Sequence, residues 1–164
     1  MASTPNNNPQ QVGYNRVLVL LPPREFTHRV DSFRRVHDKS GLRWTAHITL
    51  NFLESERFTE TIANIRGLLK DVQPFKLRLH KVDSFPMAVY DTVHLTVARS
   101  EDEKEVQQLW QILATAIGYR GRSFTPHLTL GQAPNRNGLE ALQLLHAKAQ
   151  RILSNVKDLD WTVG

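Results

Sequence analysis

A six-residue phrase occurs twice in this chain. Thr45-Ala46-His47-Ile48-Thr49-Leu50 recurs about half the chain further on as Thr125-Pro126-His127-Leu128-Thr129-Leu130, with four of six positions identical. Both copies read as strands, in which successive side chains face opposite ways. His47 and Thr49 then share one face, while Ile48 and Leu50 turn to the core; His127 and Thr129 stand likewise against Leu128 and Leu130. Two such strands paired across a twofold axis line a groove with two imidazoles and two hydroxyls. One neutral imidazole can take the proton of an attacking hydroxyl or water, and one protonated imidazole can give a proton to the leaving oxygen. Near neutral pH an imidazole populates both forms. The threonine hydroxyls can hold non-bridging phosphate oxygens and keep phosphorus in line between the histidines. The set suits phosphodiester cleavage.

Composition narrows the chemistry. The chain has no cysteine, which excludes disulfides, thiol nucleophiles and thiolate metal sites. Two strand histidines without paired carboxylates are a poor ligand set, so neither a metal nor another cofactor is expected. A net charge of +5 favours polyanionic partners such as RNA or a nucleotide cyclic phosphate. No apolar run reaches membrane-spanning length. The start, Met1 to Gly13, is rich in Asn, Pro and Gln and lacks the pattern of a secretory signal; it reads as a disordered leader to an intracellular, cytoplasmic or nuclear, monomeric protein.

The elements that position these side chains follow from periodicity. Tyr14 to Leu21 is a buried strand ended by Pro22-Pro23, and Phe26 to Asp38 a helix. Leu42 to Leu53 alternates from Trp44 onward as a strand. Glu60 to Val72 is a helix, and Phe75 to Val82 and Thr92 to Ala98 are strands. Ser100 to Ile117 is a helix that Ser100 can cap and Gly118 can end. Ser123 to Gly131 is a strand, Gly138 to Leu153 a helix, and Trp161 to Val163 opens a last strand that the chain end at Gly164 cuts short, as in a piece of a longer protein. The order predicts one α+β domain over residues 14–164, with helices outside largely antiparallel sheets. The repeat predicts two lobes related by a pseudo-twofold axis, with the groove between them.

The paired H-x-T motifs, with the phrases AHITLNF and FTPHLTLG around them, resemble the 2H phosphoesterase superfamily, which includes 2′-5′ RNA ligase-like proteins and 2′,3′-cyclic phosphodiesterases. The resemblance spans Tyr14 to Val163. It implies His47, Thr49, His127 and Thr129 as the site, and a bilobal α+β fold with that site between the lobes. It also implies hydrolysis of a 2′,3′-cyclic phosphate or a related RNA or nucleotide phosphodiester. Ligation of RNA ends, trimming of RNA 3′ ends, or RNA binding without turnover are alternative uses of one groove.

Other residues are candidates for holding substrate. Arg43 shares a face with His47 if the strand reaches back that far, Arg122 precedes the second motif, and Arg24 follows the first strand. Tyr14, Phe85 and Tyr119 are candidates for base stacking. His80, on the same side as Arg78, ranks below these. His94-Leu95-Thr96 is a third H-x-T, read as structural, a strand histidine that needs only a hydrogen-bond partner. His28, His37 and His146 read as solvent-facing on helices, and Trp110 and Trp161 as core.

Overall fold

The computed structural model describes residues 16–53, 58–98, 101–119, 124–135, 138–154 and 160–164. The elements follow in the predicted order: β1 (Arg16–Leu20), α1 (Arg24–His37), β2 (Ile48–Leu53), α2 (Phe58–Leu69), β3 (Phe75–Phe85), β4 (Tyr90–Val97), α3 (Glu101–Ala116), β5 (His127–Pro134), α4 (Gly138–Ser154) and β6 (Asp160–Val163). Glycine ends α3 as expected: Gly118 has φ +69°, and the Tyr119 N–H closes the helix end on the Ala114 carbonyl at 2.8 Å. The leader, Tyr14, Ser100 and Arg122 lie outside the described residues.

The strands pair antiparallel in one order, β1-β2-β5-β4-β3-β6. The α+β expectation holds, but the predicted lobes share one sheet instead of carrying separate ones. Among the described residues, two strands lie on one side of the junction and four on the other, so the halves are unequal. The junction itself is a single pairing, Ile48 with Leu128, the residues that follow the two motif histidines. Each helix among the described residues adds side chains to one core beneath the sheet, including Val30 of α1, Ile65 of α2, Val106 of α3 and Ala149 of α4. Ile48, Leu50, Leu128 and Leu130 are buried in that core. The alternation argument therefore places the right faces.

The repeat has a local structural counterpart that periodicity did not predict. In β2 the register against β1 steps from Thr49 to Asn51, leaving Leu50 as an extra residue. In β5 the register against β4 steps from Thr129 to Gly131, leaving Leu130 extra. Each hexapeptide thus ends in a bulge, a device that re-aims the side chains beyond it. Simple alternation would bring Asn51 and Gly131 up beside the threonines. The bulges bring Phe52 and Gln132 instead, and both line the cavity that holds the histidines. Asn51 is turned inward and buried, and its amide nitrogen has no hydrogen-bond partner.

Gly131 also lets α1 approach closely. A Cβ there would stand 2.8 Å from His37 Cβ and 2.9 Å from the His37 carbonyl oxygen. His37 is consequently half-buried, its ring 4.4 Å from that of Phe33, and His146 is half-buried as well. Only His28 faces solvent as the helical pattern suggested.

Candidate active site

Residues 38–47 leave α1 and deliver the chain to β2. Turns occupy most of this stretch, so β2 starts at Ile48 and the expected strand from Leu42 does not form. A buried charge network is what holds the segment on the helix. Arg34 is 2% exposed. Its guanidinium donates to Asp38 at 3.1 and 2.6 Å, to Asp31 at 3.1 Å, and to the Trp44 carbonyl at 2.9 Å. Asp31 in turn accepts the Ala46 N–H at 2.7 Å and the Thr45 hydroxyl. Asp38 accepts the Ser40 N–H at 2.9 Å and the Gln132 amide at 3.1 Å. The network thus ties the run-up to the first histidine to the strand of the second.

Both motif histidines are oriented in the same way. His47 Nδ1–H donates to the Thr45 carbonyl at 2.6 Å, and His127 Nδ1–H to the Thr125 carbonyl at 2.8 Å. A carbonyl can only accept, so each Nδ1 carries the proton and each Nε2 is left to exchange one. The threonine that opens each hexapeptide therefore serves through its backbone. His47, Thr49, His127 and Thr129 line one cavity of about 410 Å³ together with Arg43, Trp44, Phe52 and Gln132. Burial pushes the His127 pKa below its usual value; the Thr125 carbonyl opposes this and the charge of His47 reinforces it. Among the described residues no three His, Asp or Glu side chains converge as a metal ligand set.

A second compartment of about 600 Å³ shares Thr49, Phe52 and His127 with the first. Aromatic rings dominate it: Phe85, Trp110, Tyr119 and Phe124, with Asn51 at its wall. Trp110 stacks on Phe124 at 5.3 Å and meets Tyr119 edge-on at 6.3 Å. The Gly118 turn at the end of α3 is what presents Tyr119 to this space, where it is 51% exposed. Trp110, read from sequence as core, is half-buried in the wall of the groove, whereas Trp161 does pack against the core.

The sequence candidates sort cleanly. Phe85 and Tyr119 line the second compartment with His127, and Arg43 lines the histidine cavity from a turn instead of from the strand on which it was placed. Arg24 is exposed at the start of α1 and lines none of the cavities around the histidines. His80 borders a third cavity of about 730 Å³ with Arg78, Lys81 and Glu103, adjoining the site through Phe85, His94 and Thr125. Sequence reasoning missed Arg34, Trp44, Phe52 and Gln132. Phe52 and Gln132 had no sequence signal, because bulges do not show in apolar alternation.

His94 requires a correction of context. Its strand carries the full Thr92-Val93-His94-Leu95-Thr96 pattern, so the signal was in the sequence. β4 pairs with β5, placing His94 opposite Thr129 and Thr96 opposite His127. His94 is buried, as a structural histidine would be, but its ring lies 5.2 Å from that of His127 and stacks on Phe85 at 3.9 Å.

The geometry agrees with what this chain is similar to. A Halalkalibacterium halodurans protein, BH1439, provisionally named a phosphoesterase, is 26% identical over 164 aligned residues, covering 91% of this chain and 94% of that one. A Staphylococcus aureus protein named in the same way is 25% identical over 118 residues, covering 70% of this chain and 69% of its own. Among solved structures, Kluyveromyces marxianus Usb1 with uridine monophosphate shares the fold at a TM-score of 0.53 and 13% identity, over 83% of this chain and 80% of that one. A profile of the 2′-5′ RNA ligase superfamily matches residues 22–164, and the chain belongs to that superfamily.

Proposed function

We propose that this protein is a phosphodiesterase that opens a 2′,3′-cyclic phosphate, or a related RNA or nucleotide phosphodiester, by acid–base catalysis between His47 and His127 without a metal ion. One observation carries the reading: two histidines, each with Nδ1 committed to the carbonyl two residues back, share a cavity with two threonines. The lowered pKa of His127 favours its neutral form and so the role of base. Water attacks phosphorus as its proton passes to His127 Nε2. The bond from phosphorus to the 2′ or 3′ oxygen breaks, and His47 Nε2–H gives that oxygen its proton. Thr49 and Thr129 donate to the non-bridging oxygens, with the Arg43 cation nearby. The aromatic compartment suits a nucleobase stacked beside the reacting phosphate. The phosphoesterase names of the relatives and the uridine monophosphate bound by the Usb1 neighbour are in keeping with this substrate class.

A panel of cyclic mononucleotides and cyclic-phosphate-ended oligonucleotides, followed by phosphorus NMR in excess EDTA, tests the proposal. Hydrolysis to a monoester that EDTA leaves intact is the expected result. Tight binding without product, or activity lost to the chelator, would overturn it. Adding an acceptor with a 5′-hydroxyl to the same panel reads the reverse reaction, RNA-end ligation.

A further inference from the structure

We propose that His94 is a positioning residue for His127: it holds the His127 ring in place from inside the sheet and keeps water from its inner side. The functional step in this inference rests on the reading of His127 as the base; the contact between the rings does not. Three rings form the wall. Phe85 and His94 lie nearly parallel, 3.9 Å apart with planes at 11°. His127 meets His94 edge-on at 5.2 Å and 70°, and Phe85 at 4.9 Å and 81°. An edge-to-face contact constrains the second ring torsion, which a single Nδ1 hydrogen bond leaves free to swing.

His94 is suited to this work and poorly suited to chemistry of its own. It is 2% exposed. Its Nδ1 lies 3.4 Å from the Thr92 carbonyl, a longer contact than either motif histidine makes, so stacking contributes more to its orientation. Burial pushes its pKa down to about 4; the Thr92 carbonyl opposes that, the charge of His127 adds to it, Asp83 opposes it and His146 adds to it. The ring is therefore neutral near neutral pH, and places no charge behind His127. The groups facing this pair are His47 from the segment before β2, Thr96 on β4, Asp83 and its ion-pair partner Lys81 on β3, and His146 from α4.

His94→Ala and His94→Phe separate positioning from bulk stability. In the alanine variant water reaches the inner side of His127, so its ring proton resonance should titrate at higher pH than in the wild-type protein. kcat should fall about tenfold to a hundredfold, with KM changed less than about twofold. Phenylalanine restores a ring of similar shape, and should return both the titration and most of kcat. Far-UV spectra and melting curves establish that each variant is folded. An unchanged His127 titration with unchanged kcat in folded His94→Ala would overturn the proposal, as would His94→Phe no better than His94→Ala. If the wild-type protein turned over no cyclic phosphate, the functional reading would fail while the ring titration still decided whether His94 governs His127.

Discussion

Arg34 gives the sharpest test of how the site is held. Arg34→Met keeps the length and apolar stem of the side chain but removes the guanidinium. Asp38, as buried as Arg34, and Asp31, 13% exposed, then lose their counter-charge, and the Trp44 carbonyl loses its donor. Breaking one partner out of a buried ion pair costs about 3–5 kcal/mol, because a charge is left uncompensated. For a domain of this size each kcal/mol moves Tm by about 2–4 °C, so the variant should melt roughly 6–20 °C lower. Activity should fall further than stability alone requires. The lost contacts fix Trp44 to Ala46, and the Thr45 carbonyl orients His47; a displacement of about 1 Å there can cost about 10²-fold in kcat. Calorimetry together with turnover of the best cyclic phosphate, measured well below Tm, reads both effects. Adding Asp38→Asn to Arg34→Met removes one orphaned charge and should recover part of the lost stability, giving a coupling energy above about 1 kcal/mol. A melting temperature within 2 °C of wild type on the order of experimental error, or strict additivity in that cycle, would refute the claim that the network holds the segment.

Three further outcomes follow from the same geometry. His47→Ala and His127→Ala should each lower kcat by about 10²–10⁴-fold while leaving the fold intact, and the wild-type pH–rate profile should be bell-shaped; near-full activity in either variant contradicts the acid–base pair. Stability should decline below neutral pH. The folded-state pKa values of His94 and His127 lie below the unfolded value, so the native state binds fewer protons, and stability present above pH 6.5 is lost as pH falls toward about 4. For His94 alone the loss is on the order of 3 kcal/mol, and urea titrations of His94→Phe across this range should show a flatter dependence. Gly131→Ala should destabilise by about 1–3 kcal/mol, since the added methyl meets the His37 Cβ and carbonyl; an unchanged denaturation midpoint would show that α1 moves away freely.

Most of the fold was legible because its elements have strong, distinct periods. The alternation of Phe75 to Val82 appears within β3, the helix expected over Ser100 to Ile117 forms as Glu101–Ala116, and the Gly118 stop ends it. Boundaries failed where a tertiary contact overrode the pattern. Leu42 to His47 alternates like a strand, yet Arg34 and Asp31 take up its backbone groups, and it is held as turns on α1. Trp110 has the size of a core residue but stands at the open side of α3, against Phe124 and Tyr119.

The sequence by itself singled out the candidate site, because the Thr-x-His-x-Thr-Leu phrase occurs twice and alternation turns its apolar positions to the core, leaving the histidine and the second threonine on the other face. From that repeat come His47, Thr49, His127 and Thr129, and the phosphodiester reading with them. Tertiary structure decided what surrounds those four. Strand order is set by long-range packing that no local pattern encodes, and it is strand order that placed His94 against His127. The bulges at Leu50 and Leu130, each one residue of register, chose Phe52 and Gln132 over Asn51 and Gly131 as the next residues lining the histidine cavity. Burial, which follows only from the assembled sheet, is what pushes the His127 pKa below its usual value.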